Sequence, residues 1–154
     1  MTATAFTLRP AVPDDHDDIA AIWHDGASLP GVGPASMPSL AELRQRVDVE
    51  FAQGWVVTIA ERDGVIVGFI ALRPDQAVLD QLFVHPDALG RGLGKTLFAE
   101  AVAAMPEGFT LFTRPGNTRA CRFYEALGMT VIREEIHPRF GDRIVFYEWT
   151  PPGR

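Results

Sequence analysis

Cysteine is almost missing from this chain of 154 residues: Cys121 stands alone. Without a second thiol no internal disulfide can form, and nothing in the composition asks for an oxidising compartment. Long apolar runs are missing as well. The longest, residues 65–72, falls far short of a bilayer span and is interrupted by Gly68. The first residues, Met1-Thr2-Ala3-Thr4-Ala5-Phe6, lack the basic start and apolar stretch of a secretory signal. A cytoplasmic chain with no membrane partner is therefore expected. Positive charge is in deficit too, with 14 Lys and Arg against 20 Asp and Glu and a formal net charge of −6. Nucleic-acid binding draws most of its affinity from neutralised phosphates, so no nucleic-acid partner is expected. The acidic balance is compatible with a cationic amine as ligand, although bulk charge says little about one pocket.

What is present is an ordinary globular composition, 47% hydrophobic and 22% charged, on a length that fits one domain spanning 1–154. Alternation over 6–9 suggests a first strand. Asp14, Asp15, Asp17 and Asp18 precede Ile19, Ile22 and Trp23, which reads as an acidic first turn of a helix rather than a metal site. Gly and Pro make 28–34 a loop. A second helix runs from a cap at Ser39 to Gln53, with Leu40, Leu43, Val47 and Phe51 along one side. Strands at 55–60 and 65–72 are joined across Asp63-Gly64, a strong hairpin signal. The second of these is apolar on both faces, which places it inside the sheet. A strand at 79–84 ends at His85-Pro86, and a helix follows over 92–105. Next come a strand at 109–113 and a helix capped by Asn117 and closed by Gly128. The last two strands, 129–134 and 144–149, flank a loop at 136–142. This order gives one α/β unit with a mixed central sheet flanked by helices.

The most specific local feature is Gly90-Arg91-Gly92-Leu93-Gly94-Lys95-Thr96, between a strand and a helix. Glycine lets the backbone approach an anion closely, and the free amides of a helix start point towards negative charge. A nucleotide P-loop would need a further Gly where Leu89 stands. A dinucleotide fingerprint would need Gly in place of Lys95 and normally follows the first strand of its unit. Both fail, and a glycine-rich turn with no ligand is the bland alternative.

The segment 79–86, Leu-Asp-Gln-Leu-Phe-Val-His-Pro, followed by Gly90-Arg91-Gly92-Leu93-Gly94, resembles the central strand, pyrophosphate loop and helix of the GNAT superfamily of N-acetyltransferases. The pattern Gln/Arg-x-x-Gly-x-Gly/Ala is met at Gly92 and Gly94, while its first position falls on Leu89. A second motif supports the first. Residues 117–129, Asn-Thr-Arg-Ala-Cys-Arg-Phe-Tyr-Glu-Ala-Leu-Gly-Met, resemble the family's Asn-x-x-Ala-x-x-Phe-Tyr helix. The likeness covers roughly 55–149. The region 4–53, where the family shapes its acceptor pocket, matches only in outline.

The resemblance implies a sheet whose central strands splay to hold acetyl-CoA, and direct acetyl transfer to a primary amine of a small molecule or peptide in a ternary complex. Cofactor contacts would come from Leu82, Phe83 and Val84 on the strand and from Leu89, Gly90, Arg91, Gly92, Leu93, Gly94, Lys95 and Thr96 at the loop. Asn117, Ala120, Phe123 and Tyr124 would add the contacts of the second motif. A backbone amide near Val84 would bond the thioester oxygen. Tyr124 occupies the general-acid position, protonated at neutral pH because phenols titrate near 10; a core tyrosine is the alternative. Asp80, a carboxylate in an apolar strand, is costly unless paired or used, which makes it the candidate base, with Glu61 and His85 behind it. Trp23, His24, Trp55, Phe83 and Phe140 are candidates for the acceptor pocket. Cys121 reads as a small hydrophobe rather than a nucleophile. An idle acyl-CoA-binding module of the same fold is the competing function, and pairing into a homodimer stays open.

Overall fold

A computed structural model describes residues 6–153. In chain order the elements are β1 (Thr7–Pro10), α1 (His16–Ala27), α2 (Leu40–Ala52), β2 (Val56–Arg62), β3 (Val65–Arg73), β4 (Val78–Val84), α3 (Leu93–Ala104), β5 (Phe109–Thr113), α4 (Thr118–Ala126), β6 (Thr130–Ile136) and β7 (Arg143–Trp149). The expected α/β unit is found, with strand limits shifted by a residue or two. No helix of the described residues is long and apolar enough to cross a membrane.

Local chemistry explains most boundaries. Ser39 caps α2 by accepting from the Glu42 amide at 3.1 Å, and Glu42 returns the contact by accepting from the Ser39 amide, a reciprocal box that satisfies two orphan donors. Asn117 accepts from the Ala120 amide at 3.2 Å and starts α4. Asp63 and Gly64 both take positive φ, 54° and 78°, the backbone of the tight turn whose twist suits a hairpin.

The seven strands run in the order β1-β2-β3-β4-β5-β7-β6. β1 to β4 are antiparallel neighbours, and β5, β7 and β6 form a second antiparallel group. α1 and α2 cover one face, where Ile19, Trp23, Leu43 and Val47 pack on Ile59, Phe69 and Ala71. α3 and α4 cover the other, where Leu93, Leu97, Phe98 and Tyr124 pack with Leu79, Leu111 and Tyr147. Burial of each such Leu, Ile, Val or Phe stabilises the fold by about 1.5–3 kcal/mol. β3, at the centre, is buried on both faces as its composition implied.

One irregularity positions the site. Ala71 pairs with Gln81 but Leu72 pairs with Leu79, so Asp80 is an extra residue on β4, a β-bulge. In a regular strand Leu79 and Leu82 would face opposite ways, because side chains alternate. The bulge restores both to the α3 side, and the intervening Asp80 meets Trp55 and Arg73.

Candidate active site

The two halves of the sheet barely meet. β4 and β5 are parallel and share a single register pair, Val78 with Thr110, with the Thr110 amide donating to the Ala77 carbonyl at 3.0 Å. Beyond it the strands diverge, leaving the β4 edge open towards β5. On the other edge the His85 amide donates to the Val67 carbonyl at 2.7 Å. Antiparallel ladders alternate bonded and non-bonded pairs, so Phe83 also faces β3, while the amides of Leu82 and Val84 point into the opening.

At the end of β4 the chain makes a single 3-10 turn, Pro86–Ala88, and enters the glycine loop. Gly90 and Gly92 take φ of 78° and 79°, and a Cβ built at either meets nothing within 4 Å. Gly92 caps α3 in the left-handed conformation. Among the described residues the amides of 90–95 have no acceptor; the first bonded amide is that of Thr96, which donates to the Gly92 carbonyl at 3.1 Å. The Thr96 hydroxyl donates to the same carbonyl at 3.0 Å, so Thr96 is turned back into the helix. Leu93 sends its side chain into the core, 1% exposed, and presents only backbone to the loop. Leu89 is half-buried, while Arg91 and Lys95 are exposed. Gly94 is needed for another reason: a Cβ there would lie 3.1 Å from the edge of the Phe123 ring. The second sequence motif therefore packs directly on the first.

Next to the opening lies a cavity of about 320 Å³. Its walls come from β4 (Asp80, Gln81, Leu82, Phe83), β5 (Leu111, Phe112, Thr113) and α4 (Ala120, Tyr124), with Arg114 and Asn117 between the last two. The α1–α2 loop adds Val32, Gly33, Pro34, Met37 and Pro38. That loop is pinned by close backbone contact: a Cβ on Gly31 would lie 2.6 Å from the Gly116 carbonyl oxygen, and Arg114 Nη1 donates to the Val32 carbonyl at 3.5 Å.

Asp80 is both paired and accessible. Trp55 Nε1 donates to its Oδ2 at 2.6 Å, and Arg73 Nε lies 3.4 Å from the same oxygen. Oδ1 has no donor among the described residues, and the side chain is 21% exposed. Arg73 also bonds Glu50, tying α2 to the site. Tyr124 is 8% exposed and lines the cavity, and no described residue hydrogen-bonds its hydroxyl. Burial pushes the Tyr124 phenol well above its ordinary value, and Cys121 adds to the shift, so it is a protonated donor throughout the neutral range. His137, which no sequence motif singles out, also lines the cavity. Its Nδ1 accepts from the amides of Arg139 and Phe140 at 3.0 and 3.2 Å. Desolvation first, and then the charge of Arg114, hold it below the usual imidazole range.

The other candidates separate. Trp23, Phe83 and Phe140 line the cavity. Trp55 stands behind Asp80 in the core, and half-buried His24 is not in the wall. Glu61 is engaged by Arg9, and His85 caps its own turn by accepting from the Asp87 amide at 3.1 Å; neither reaches the cavity. Cys121 is not in the wall either; its Sγ lies 3.9 Å from the Arg114 carbonyl. Arg46, Arg73, Arg114, Arg139, Gln81 and His137 also line the cavity. Only Gln81 lies within a sequence motif, and the six come from five separate segments of the chain, with His137 and Arg139 sharing one loop.

An open strand edge between a bare amide loop and a cavity of mixed polar and apolar lining is the architecture of an acyl-CoA-dependent transferase. Residues 19–129 match the family model described as acetyltransferase (GNAT) family, and the chain belongs to that family; it is an acetyltransferase with acetyl-CoA as donor. It is 38% identical over 132 residues to the peptidyl-lysine N-acetyltransferase YjaB of Salmonella typhimurium, covering 84% of this chain and 87% of that one. It is 28% identical over 148 residues to a 5-NmdU N-acetyltransferase of Pseudomonas phage PaMx11, covering 92% and 98%. Among solved structures, that of yncA from Salmonella typhimurium with acetyl-CoA superposes with a TM-score of 0.72 at 18% identity, covering 98% of this chain and 96% of that one.

Proposed function

We propose that the chain moves the acetyl group of acetyl-CoA directly onto the amino group of a small molecule, both substrates being bound at once on either side of the β4–β5 opening. The observation that carries this reading is the opening itself, which joins the free amides of 90–95 to the cavity holding Asp80 and Tyr124. The fit to the donor is good: a pyrophosphate suits the bare amides at the start of α3, with Arg91 and Lys95 as exposed cations beside them. The exposed edge of β4 suits the amide-bearing arm of the same molecule, which would pair with it as an added strand. Asn117, Ala120 and Phe123 support that arm from α4.

When bound, acetyl-CoA supplies a thioester carbonyl open to attack. The amide of Val84 or Leu82 stabilises the negative charge that develops on its oxygen. Asp80 Oδ1, the free oxygen of that carboxylate, takes the proton of the incoming ammonium, directly or through one water. The amine nitrogen then bonds to the acetyl carbon and releases its second proton to solvent as the carbon–sulfur bond breaks. Tyr124 gives its proton to the departing sulfur and regains one from solvent. The α1–α2 loop walls the cavity over the acceptor, which favours a compact molecule over an extended peptide.

Initial-rate measurements with acetyl-CoA and an amine panel test this. Direct transfer gives intersecting double-reciprocal lines, and protein incubated with acetyl-CoA alone keeps its mass. Parallel lines together with a stable acetylated protein would refute it. Binding of acetyl-CoA with no thiol release across the panel would favour the idle module.

A further inference from the structure

The charges around the cavity do not balance evenly, and the imbalance has a direction. Glu50 and Asp80 share the single guanidinium of Arg73, two carboxylates to one cation. The same cavity is also lined by Arg46, Arg114 and Arg139. Asp142 neutralises Arg114. Arg46 and Arg139 have no carboxylate within 4.0 Å among the described residues. The adjoining surface depression shares both arginines and contains one acid, Glu42, but that carboxylate is turned back onto the Ser39 amide at 3.1 Å.

We infer that the acceptor is a small amine that also carries an anionic group, a carboxylate or a phosphonate-type acid, held by Arg46 and Arg139 while its amino group sits at Asp80. This rests on the cavity being the acceptor site.

Three further observations support it. Arg46 is preset rather than loose: its guanidinium lies 5.4 Å from the centre of the Trp23 ring, a contact that orients the side chain without neutralising it. Arg114, Arg139 and Arg46 all stand near enough to His137 to lower its pKa, after desolvation as the larger cause and against Asp142, so three cations gather around one wall of the cavity. The spacing is also right. Arg46 and Glu50 lie one turn apart on α2, about 5–6 Å between neighbouring Cβ atoms, and Arg46, Arg139, Glu50 and Asp80 all line the one cavity of about 320 Å³, a span that a compact molecule covers. The chain as a whole is acidic, with a net charge of −6, so this local excess of cation is not a background property. The cationic acceptor that bulk charge suggested meets like charge at the entrance, where exposed Arg139 stands.

Matched acceptors decide the question. Thiol release from acetyl-CoA is measured with 4-aminobutyrate, L-methionine and 3-aminopropylphosphonate, each against an uncharged partner (4-aminobutyramide, methionine amide, propylamine), and against spermidine and a lysine peptide. We expect a KM at least about tenfold lower for acids than for their neutral partners, as for charge-assisted contacts partly screened by water. Arg46→Gln and Arg139→Gln should each raise that KM about tenfold with kcat and acetyl-CoA affinity kept; their combination should abolish the preference. Neutral or cationic amines used as well as the acids would overturn the inference while leaving acetyl transfer in this cavity standing. A preference for acids that survives the double replacement would also overturn it. No acetylation of any amine by protein that binds acetyl-CoA in calorimetry would remove the inference and the transfer reading together.

Discussion

Tyr124 and Tyr147 lie side by side, ring centres 6.2 Å apart, yet removal of one oxygen from each should have opposite consequences. The Tyr124 hydroxyl has no partner among the described residues, so Tyr124→Phe breaks no hydrogen bond, and the ring keeps its contacts with Phe98 and Phe123 at 6.4 and 5.2 Å. Stability should change by less than about 1 kcal/mol. Turnover should fall, because the proton donor to sulfur is gone. General acids contribute about a hundredfold or more, but a thiolate with a pKa near 8.5 leaves fairly well unaided. The expected loss is therefore about tenfold to a hundredfold, equivalent to roughly 1.4–2.7 kcal/mol of barrier, with acetyl-CoA affinity unchanged. Tyr147 donates to Glu125 Oε2 at 2.6 Å, and Tyr147→Phe removes a hydrogen bond to a charged group. Glu125 is exposed and can turn to water, so the cost sits at the lower end, about 1.5 kcal/mol. That corresponds to a fall of roughly 3–6 °C in melting temperature for a chain of this size, with kcat near wild type. The assay pairs thermal unfolding with saturation kinetics on both variants. Normal turnover by Tyr124→Phe, or a melting loss matching that of Tyr147→Phe, would refute the assignment of Tyr124 as the donor. Alkali offers a third reading. Burial raises both phenols in the folded state, so their contribution to stability is intact below the unfolded value near 10 and is lost as pH climbs beyond it, because the unfolded chain accepts the ionisation that each buried phenol resists. Tyr124→Phe should soften that alkaline decline.

Gly92→Ala puts a side chain on a backbone with φ of 79°, a strain of about 1–2 kcal/mol. It should weaken acetyl-CoA binding by roughly tenfold in calorimetry; equal affinity in a folded variant would place the phosphates elsewhere. Asp80→Asn keeps the Trp55 contact but removes the charge. It should depress kcat most at low pH, where few acceptor molecules are already neutral, and a wild-type pH–rate profile would show that Asp80 is not the base. Asp15 accepts from Arg9 at 2.7 and 2.8 Å and from the Val12 amide at 2.7 Å, and its carboxyl is held below the usual range chiefly by Arg9. Its stabilisation is complete above the unfolded value near 3.9 and disappears as pH falls through the folded one. Asp15→Asn should cost about 1.5–3 kcal/mol near pH 7 and flatten the acid limb of a denaturation curve; an unchanged acid limb would contradict this.

Features encoded by a few adjacent residues are legible in the amino-acid order itself. The Ser39 cap, the Asp63-Gly64 turn, the Asn117 cap and the glycine loop are each specified within four or five positions, and all appear where expected. The acidic start of α1 is legible as a helix signal, but Asp15 within it is spent on Arg9 instead of the helix end. The bulge at Asp80 leaves no mark, because alternation over so short a strand is satisfied by either register. The arginines of the cavity are hidden for a different reason. Arg46, Arg73, Arg114 and Arg139 come from α2, β3 and two loops, and each in isolation is an ordinary surface residue. Trp55 and His24 show the converse: an aromatic near the right element says nothing about which way it turns. Strand β6 runs to Ile136, two residues past its expected end, as an exposed edge strand, where little packing marks a boundary.

The seam between Gly31 and Gly116 carries a consequence for how such a chain can change. Gly31 belongs to the loop that walls the cavity proposed for the acceptor, and Gly116 immediately precedes Asn117 at the start of α4, the helix proposed to support the donor. Any side chain added at Gly31 must push against the Gly116 backbone. A mutation that enlarges this chamber by lifting the loop therefore disturbs the footing of α4 and, through Phe123 on Gly94, the turn proposed to receive the donor's phosphates. New acceptor preferences reached by moving the loop would come bundled with altered donor affinity. Preferences reached by exchanging the side chains at Arg46, Arg139 or Phe140 would not, which leaves those positions as the route along which specificity can drift most freely.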